Sequence, residues 1–371
     1  MFGQRMSPPF RADHVGSLIR PRELIEARRR YQAGKLPVDA LRAIEDEAIR
    51  EAVKMQERVG LNSITDGEMR RFTFRDLFFE SVSGFSKEKI ESSFTFTEFS
   101  GERTKSMPIP VVIDKLRRIK LMTADEFSFT KALTHRTVKA TLPSPGINHV
   151  YSGDKSLKGS PYSSRKAFFE DVVAIYKEEI ADLATRGCHY LQIDETPTAY
   201  LCDPNNQAMV RARGEDPDQL IDDYNAAINA AVHDKPTNMV VCAHLCRGNI
   251  GHGLATGGYE PVAERLFGGM KVDGFFLEYD TERAGDFKPL RHMPKNKVAV
   301  LGLFSTKLSR LETGDEIKRR IDEASRYISL DQLCLSPQCG FASNYDMERM
   351  TIVDEERKLA AIVEIADEIW G

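Results

Sequence analysis

Short apolar runs alternating with amphipathic stretches restrict this chain's fold more than any other feature. Eight runs read as strands: 12–17 (ADHVGS), 62–66 (NSITD), 136–142 (RTVKATL), 189–194 (HYLQID), 238–244 (NMVVCAH), 273–279 (DGFFLEY), 297–303 (KVAVLGL) and 331–336 (DQLCLS). Helical stretches lie between most of them, at 37–59, 164–186, 217–234, 259–268, 313–327 and 353–370. In the second of these, Phe168, Val172, Ile175, Ile180 and Leu183 recur at helical spacing and form one apolar stripe. Strands joined by helical crossovers predict an α/β fold with a parallel sheet. Eight of them fit a closed (β/α)8 TIM-type barrel, with a doubly wound open sheet as the alternative.

The chain has 371 residues. That length suits one barrel with an insertion, so residues 1–371 are expected to form a single domain. Segment 72–135 breaks the alternation and is rich in phenylalanine. Within it, 93–99 (SFTFTEF) alternates apolar and polar, and 107–113 (MPIPVVI) is a candidate hairpin partner. The segment reads as a cap inserted near the barrel mouth, or as a packing extension that only covers helices.

Hydrophobic residues make up 41% of the chain and charged residues 29%, a globular balance. The net charge of −4 offers no basic field for nucleic acid. No run of about 18 apolar residues suggests a membrane span, and MFGQRMSPPFRADH lacks the apolar core of a signal peptide. The expected location is the cytoplasm, and a homo-oligomer is compatible with the sequence. Six cysteines, at 188, 202, 242, 246, 334 and 339, are then structural thiols, metal ligands or catalytic groups rather than disulfides.

Barrel enzymes build their sites where strands end. The eight predicted strands lead to Gly16-Ser17, Asp66-Gly67-Glu68, Thr141 to Ser144, Asp194-Glu195, His244-Leu245-Cys246, Glu278-Tyr279-Asp280, Ser305-Thr306-Lys307 and Gln338-Cys339-Gly340. His244, Cys246, Glu278 and Cys339 are ligand types that Zn²⁺ takes. His244 and Cys246 face one way on a strand, and a bend after His244 would let them share an ion. Alternatives stand beside this. Glu278 could pair with Arg283 or Arg291, and Cys339 could be a buried small hydrophobe. Cys188, Cys202, Cys242 and Cys334 are assigned to packing. His149 and His252 fall in predicted mouth loops.

At these residues the chain resembles the cobalamin-independent methionine synthase family. The motifs are HVGSL at 14–18, ITDGE at 64–68, LQIDE at 191–195, HLC at 244–246, FFLEYD at 275–280 and SPQCGF at 336–341. The resemblance spans nearly the whole chain, matched to that family's C-terminal catalytic barrel and most similar to its short, single-barrel members. It implies a zinc-dependent methyltransferase of methionine biosynthesis, with His244, Cys246, Glu278 and Cys339 holding Zn²⁺. It further implies that Ser17, Glu68 and Asp194 hold homocysteine, while a carrier such as methyltetrahydrofolate brings the methyl group. Two departures concern the donor. The long enzymes' N-terminal barrel has no counterpart in this chain, and Lys307 stands where those enzymes place a histidine. Epoxyalkane:coenzyme M transferases are zinc relatives in which the thiol attacks an epoxide, and that chemistry is the alternative.

Electrostatics of the expected roles are simple. A free thiol titrates near about 8.5, and only its thiolate is nucleophilic. Glu68 and Asp194 offer negative charge to a substrate ammonium, and backbone N–H groups around Ser17 offer donors to its carboxylate. Glu68 could instead pair with Arg70, Arg71 or Arg75, and Asp194 could be a buried strand-end cap. Lys307 could be an acid for the leaving group, an anchor for an anionic substrate, or a solvated lysine.

Overall fold

Period-two burial along the strands creates two environments, one inside the sheet's curve and one beneath the helices. The computed structural model describes residues 3–92, 95–97, 103–105, 108–248, 255–345 and 350–371. Its strands are β1 (Ser63–Ile64), β2 (Val82–Ile90), β3 (Thr95–Thr97), β4 (Arg103–Lys105), β5 (Ile109–Arg118), β6 (Thr137–Pro143), β7 (Tyr190–Asp194), β8 (Val240–Leu245), β9 (Gly274–Glu278), β10 (Val298–Phe304) and β11 (Leu333–Pro337). Seven form one curled parallel sheet in the order β1-β6-β7-β8-β9-β10-β11. Leu191, Ile193, Val241, Ala243, Phe275, Leu277, Ala299 and Leu301 join the large core with residues from the helices. The alternate positions Tyr190, Cys242, Phe276, Val298, Val300 and Cys334 form a separate inner cluster with Val15. Chains that begin in that inner cluster end in Asp194, His244 and Glu278, so the same parity carries polar groups to the strand ends.

The expected strand at 12–17 differs from the rest. It makes one parallel bridge, Ala12 to Leu335, with Asp13 N donating to Leu335 O at 3.0 Å. Side chains satisfy the remaining backbone in place of a ladder. Gln192 donates to Val15 O at 2.7 Å, Thr65 Oγ1 to Gly16 O at 2.7 Å, and Lys139 Nζ to His14 O. Asp13 Oδ1 accepts from Ser63 Oγ at 2.7 Å and Lys139 Nζ at 2.9 Å, while Oδ2 accepts from Tyr190 OH at 2.8 Å. The segment thus hydrogen-bonds to both edge strands of the sheet, and a wholly buried ion pair ties it to β6 as well.

His14 lies in this network, its Nε2 3.3 Å from Ser63 O. Burial and the Lys139 charge push its pKa down to about 3, against the pull of Asp13. The unfolded imidazole takes a proton near about 6.5. Stability from this neutral histidine is therefore complete above that value and lost as pH falls toward 3. Urea unfolding at pH 7 and pH 4 should show a loss on acidification that His14→Gln reduces; equal losses in both proteins would contradict this.

Segment 72–135 contains helices Asp76–Ser81 and Ala124–Lys131 and two antiparallel pairs. The expected pairing of 93–99 with 107–113 is not what forms. β5 pairs with β2, with Ile109 opposite Ile90 and Val112 opposite Phe85, and the short β3 pairs with β4. β2 and β5 are long, and Val82, Ile109, Val112 and Leu116 are buried together in the main core. Parts of 93–107 lie outside the described residues. Among the described residues no helix is long and apolar enough to cross a membrane.

Candidate metal centre and its cleft

Neighbouring strand ends bring the first pair of polar groups together. Asp194 and His244 are register partners on β7 and β8, and Asp194 Oδ1 lies 3.1 Å from His244 Nδ1. A proton on Nδ1 leaves Nε2 as the free ring nitrogen, and Nε2 is buried with no hydrogen-bond partner. Cys246 follows β8, and its Sγ lies 3.2 Å from Cys339 Sγ on the turn after β11. That turn lies close over β10, where a Cβ on Gly302 would stand 2.5 Å from Gln338 Cα. Ligand atoms of His244, Cys246 and Cys339 all lie within 4.8 Å of one another. Burial disfavours the imidazolium, but Asp194 outweighs it and raises the His244 pKa. The Cys246 pKa is lowered by a hydrogen bond from the Cys339 thiol, whose own pKa rises.

Glu278 has different partners. One oxygen accepts from Arg247 N at 2.9 Å, and the other meets Lys307 Nζ at 3.0 Å and the Arg283 guanidinium. Burial would raise its pKa, but Lys307, Arg283 and Arg247 hold it well below the carboxylate range. The pairing with Arg283 raised from the sequence is thus present. Lys307 is buried, not solvated, and also bonds Asp280 Oδ2 at 2.9 Å. Burial opposes its charge, yet Glu278 and Asp280 together raise its pKa.

A cleft joins Ser17, Glu68 and Asp194 to His244, Cys246 and Cys339. Glu68 occupies a left-handed turn, with φ of 67° at Gly67 and 57° at Glu68 itself. Its Oε1 accepts from Arg71 at 3.1 Å and Thr141 at 2.9 Å, and its Oε2 is buried without a partner. Burial and the nearby Asp194 raise its pKa against the pull of Arg71. Ser17 packs against Gly340, where a Cβ would lie 1.9 Å from Ser17 Oγ; only glycine permits that approach.

A family model described as cobalamin-independent synthase, catalytic domain, matches residues 10–366. The chain belongs to that family. The chain is similar to the uncharacterized Bacillus subtilis protein YxjG, 40% identical over 370 residues, with 99% of this chain and 96% of the relative covered. The methionine synthase of Sulfurisphaera tokodaii is 24% identical over 332 residues, covering 88% and 84%. Among solved structures, the putative vitamin-B12 independent methionine synthase from Listeria monocytogenes is 32% identical, with a TM-score of 0.75 and coverage of 99% and 100%. Membership in this synthase family supports an enzyme of the methyltransferase class acting on small molecules.

Several cleft residues carried no sequence signal. Tyr151, Tyr200, Arg75 and Asn344 line it from a short helix (Thr196–Tyr200), from loops and from the start of the insertion, where spacing has too little period to read. His149 lies elsewhere, bonded to Tyr224 OH and Asp154 at 3.0 Å each, in a cluster that Arg165 and Arg213 neutralise. His252 lies outside the described residues. Burial raises the other thiols, Cys188 to about 11 and Cys202 and Cys334 to about 12, as suits packing residues.

Proposed function

We propose that the chain is a cytoplasmic, zinc-dependent thiol alkyltransferase that moves a methyl group from a carrier to homocysteine. The reading includes a closed single (β/α)8 barrel with the 72–135 segment as a cap beside its mouth. One observation carries it: a ring nitrogen of His244 and two cysteine sulfurs lie within 4.8 Å of one another, His244 Nε2 has no other partner, and the group opens onto a cleft with acidic groups. Two soft sulfurs and one imidazole suit Zn²⁺, and hydrolytic zinc sites mostly use histidine and carboxylate instead. Zn²⁺ held there would supply a Lewis acid that favours the deprotonated form of a substrate thiol.

The chain's own residues do the rest. Asp194 fixes the His244 ring and its tautomer through Nδ1, the usual arrangement behind a ligating imidazole. Glu68 Oε2 accepts the substrate ammonium, whose charge relieves the cost of burying that carboxylate. Backbone donors at Ser17, on the turn facing Gly340, receive the carboxylate. Glu278 is the fourth ligand candidate, and it would exchange contacts with Lys307 and Arg283 to serve. Lys307 acts on this reading as a positioning residue for Glu278 and Asp280. The thiol proton passes to solvent, the sulfur lone pair forms the new S–CH₃ bond, and the donor departs with the pair from the broken bond to its methyl group.

Asp194→Asn should lower metal affinity about 10–100-fold, the effect typical of losing such a partner. Zinc titration against a competing chelator measures it, and an unchanged affinity would remove Asp194 from this role. The functional reading is tested by incubating the zinc-loaded protein and homocysteine with methyltetrahydrofolate, its polyglutamates, methylcobalamin, sulfonium compounds and epoxides. Methionine should form from a methyl donor and cease when zinc is removed. Failure with every methyl donor, or turnover indifferent to zinc, would contradict it.

A further inference from the structure

Arg75 has no role in anything above, yet its situation is unusual. It is 7% exposed and lines the cleft beside Thr73, Phe74 and Asn344. Its guanidinium carbon stands 5.1 Å from the centre of the Tyr151 ring. Among the described residues no carboxylate, carbonyl or hydroxyl accepts a hydrogen bond from that guanidinium. Two other buried arginines have acceptors close by: Arg71 bonds Glu68, Glu126, Thr123 and Thr141, and Arg28 bonds Glu45 and two carbonyls. A guanidinium presents five N–H donors in a planar fork, and those of Arg75 stay open to the cleft rather than sealed in the core. The tyrosine ring supports the charge without using up its N–H donors.

We propose that Arg75 is an anion receptor in the cleft, built to take a planar or tetrahedral oxyanion of a substrate in bidentate fashion. The cleft is then bipolar. Glu68 and Asp194 supply negative charge on one wall, and Arg75 supplies positive charge on the wall formed by the start of the insertion. Tyr151 OH lies 3.4 Å from Tyr200 OH, and both tyrosines line the same cleft as Cys246 and Cys339. A carboxylate, sulfonate or phosphate bound there could belong to the alkyl donor or to the thiol substrate. That it belongs to a reacting substrate rests on the alkyl-transfer reading; the receptor itself does not.

Thermal unfolding of the wild type, Arg75→Met and Arg75→Lys tests this with 5-methyltetrahydrofolate, homocysteine, its carboxylate-free analogue 3-aminopropane-1-thiol, glutarate and inorganic phosphate. At least one anionic compound should raise the melting temperature of the wild type with an apparent affinity lowered tenfold or more in Arg75→Met and partly restored in Arg75→Lys. Loss confined to 5-methyltetrahydrofolate or glutarate assigns the site to the donor. Loss with homocysteine but not with 3-aminopropane-1-thiol assigns it to the thiol's carboxylate. Both support the receptor. Identical affinities of wild type and Arg75→Met for every anion would overturn it. Zinc content measured on the same samples separates the two proposals: a zinc-free protein that still shows Arg75-dependent binding overturns the functional reading and leaves the receptor standing.

Discussion

Lys139→Met is expected to destabilise the folded chain by about 3–5 kcal/mol, because it leaves Asp13 charged and buried without its counter-ion. Both side chains are fully buried, 2.9 Å apart. Asp13 also holds Ser63 and Tyr190, so its charge organises three strands and the segment that bridges the sheet's two edges. Burial raises the Asp13 pKa in isolation, but Lys139 and the surrounding donors leave it below the usual carboxylate value. Removing Lys139 removes that compensation. The double variant Asp13→Asn, Lys139→Met should recover part of the loss, since no unpaired ion remains. Urea unfolding of the three proteins measures this, and a single-variant loss below about 1 kcal/mol, the scale of an exposed pair, would mean that the pair is not buried as described.

Cys246→Ser is expected to produce the largest functional effect. The thiolate is the group that binds a soft metal, and a serine hydroxyl stays protonated at neutral pH. Zinc affinity should fall by more than the about 100-fold ceiling of losing an orienting partner, and thiol alkylation should stop. Cys339→Ser should do the same, because its sulfur is the other half of the 3.2 Å pair. Cys188→Ala serves as the comparison, since that buried thiol lies outside the three-residue group. Metal analysis together with circular dichroism separates metal loss from unfolding. Full zinc content in Cys246→Ser would remove it from the centre.

Much of this arrangement is legible in the residues themselves. His244 lies on the inner face of its strand, Cys246 comes just past the strand's end, and both join one group, while the helical stripe at Phe168, Val172, Ile175, Ile180 and Leu183 is buried as its spacing implies. Other features depend on register between distant strands, which periodicity does not encode. Asp194 reads as a substrate group or a cap, yet its place opposite His244 makes it the imidazole's partner. Lys139 sits in an apolar run with nothing nearby to mark Asp13 as its counter-ion. Glu68 has three candidate arginines within seven residues; the turn at Gly67 and Glu68 selects Arg71 and leaves Arg75 facing the cleft. The strand expected at 12–17 is reduced to one bridge because side chains from its neighbours take its backbone groups. The hairpin expected between 93–99 and 107–113 gives way to the β2–β5 and β3–β4 pairs, because alternation identifies strands without identifying which strand lies beside which.

Zinc K-edge X-ray absorption on the purified protein, before and after homocysteine, tests the central claim most directly. The account predicts about one zinc per chain with two sulfur neighbours and at least one imidazole, at about 2.0–2.3 Å, and a gain of one sulfur when homocysteine is added. A protein that takes up no zinc, or a coordination shell whose sulfur count is the same with and without homocysteine, would contradict it.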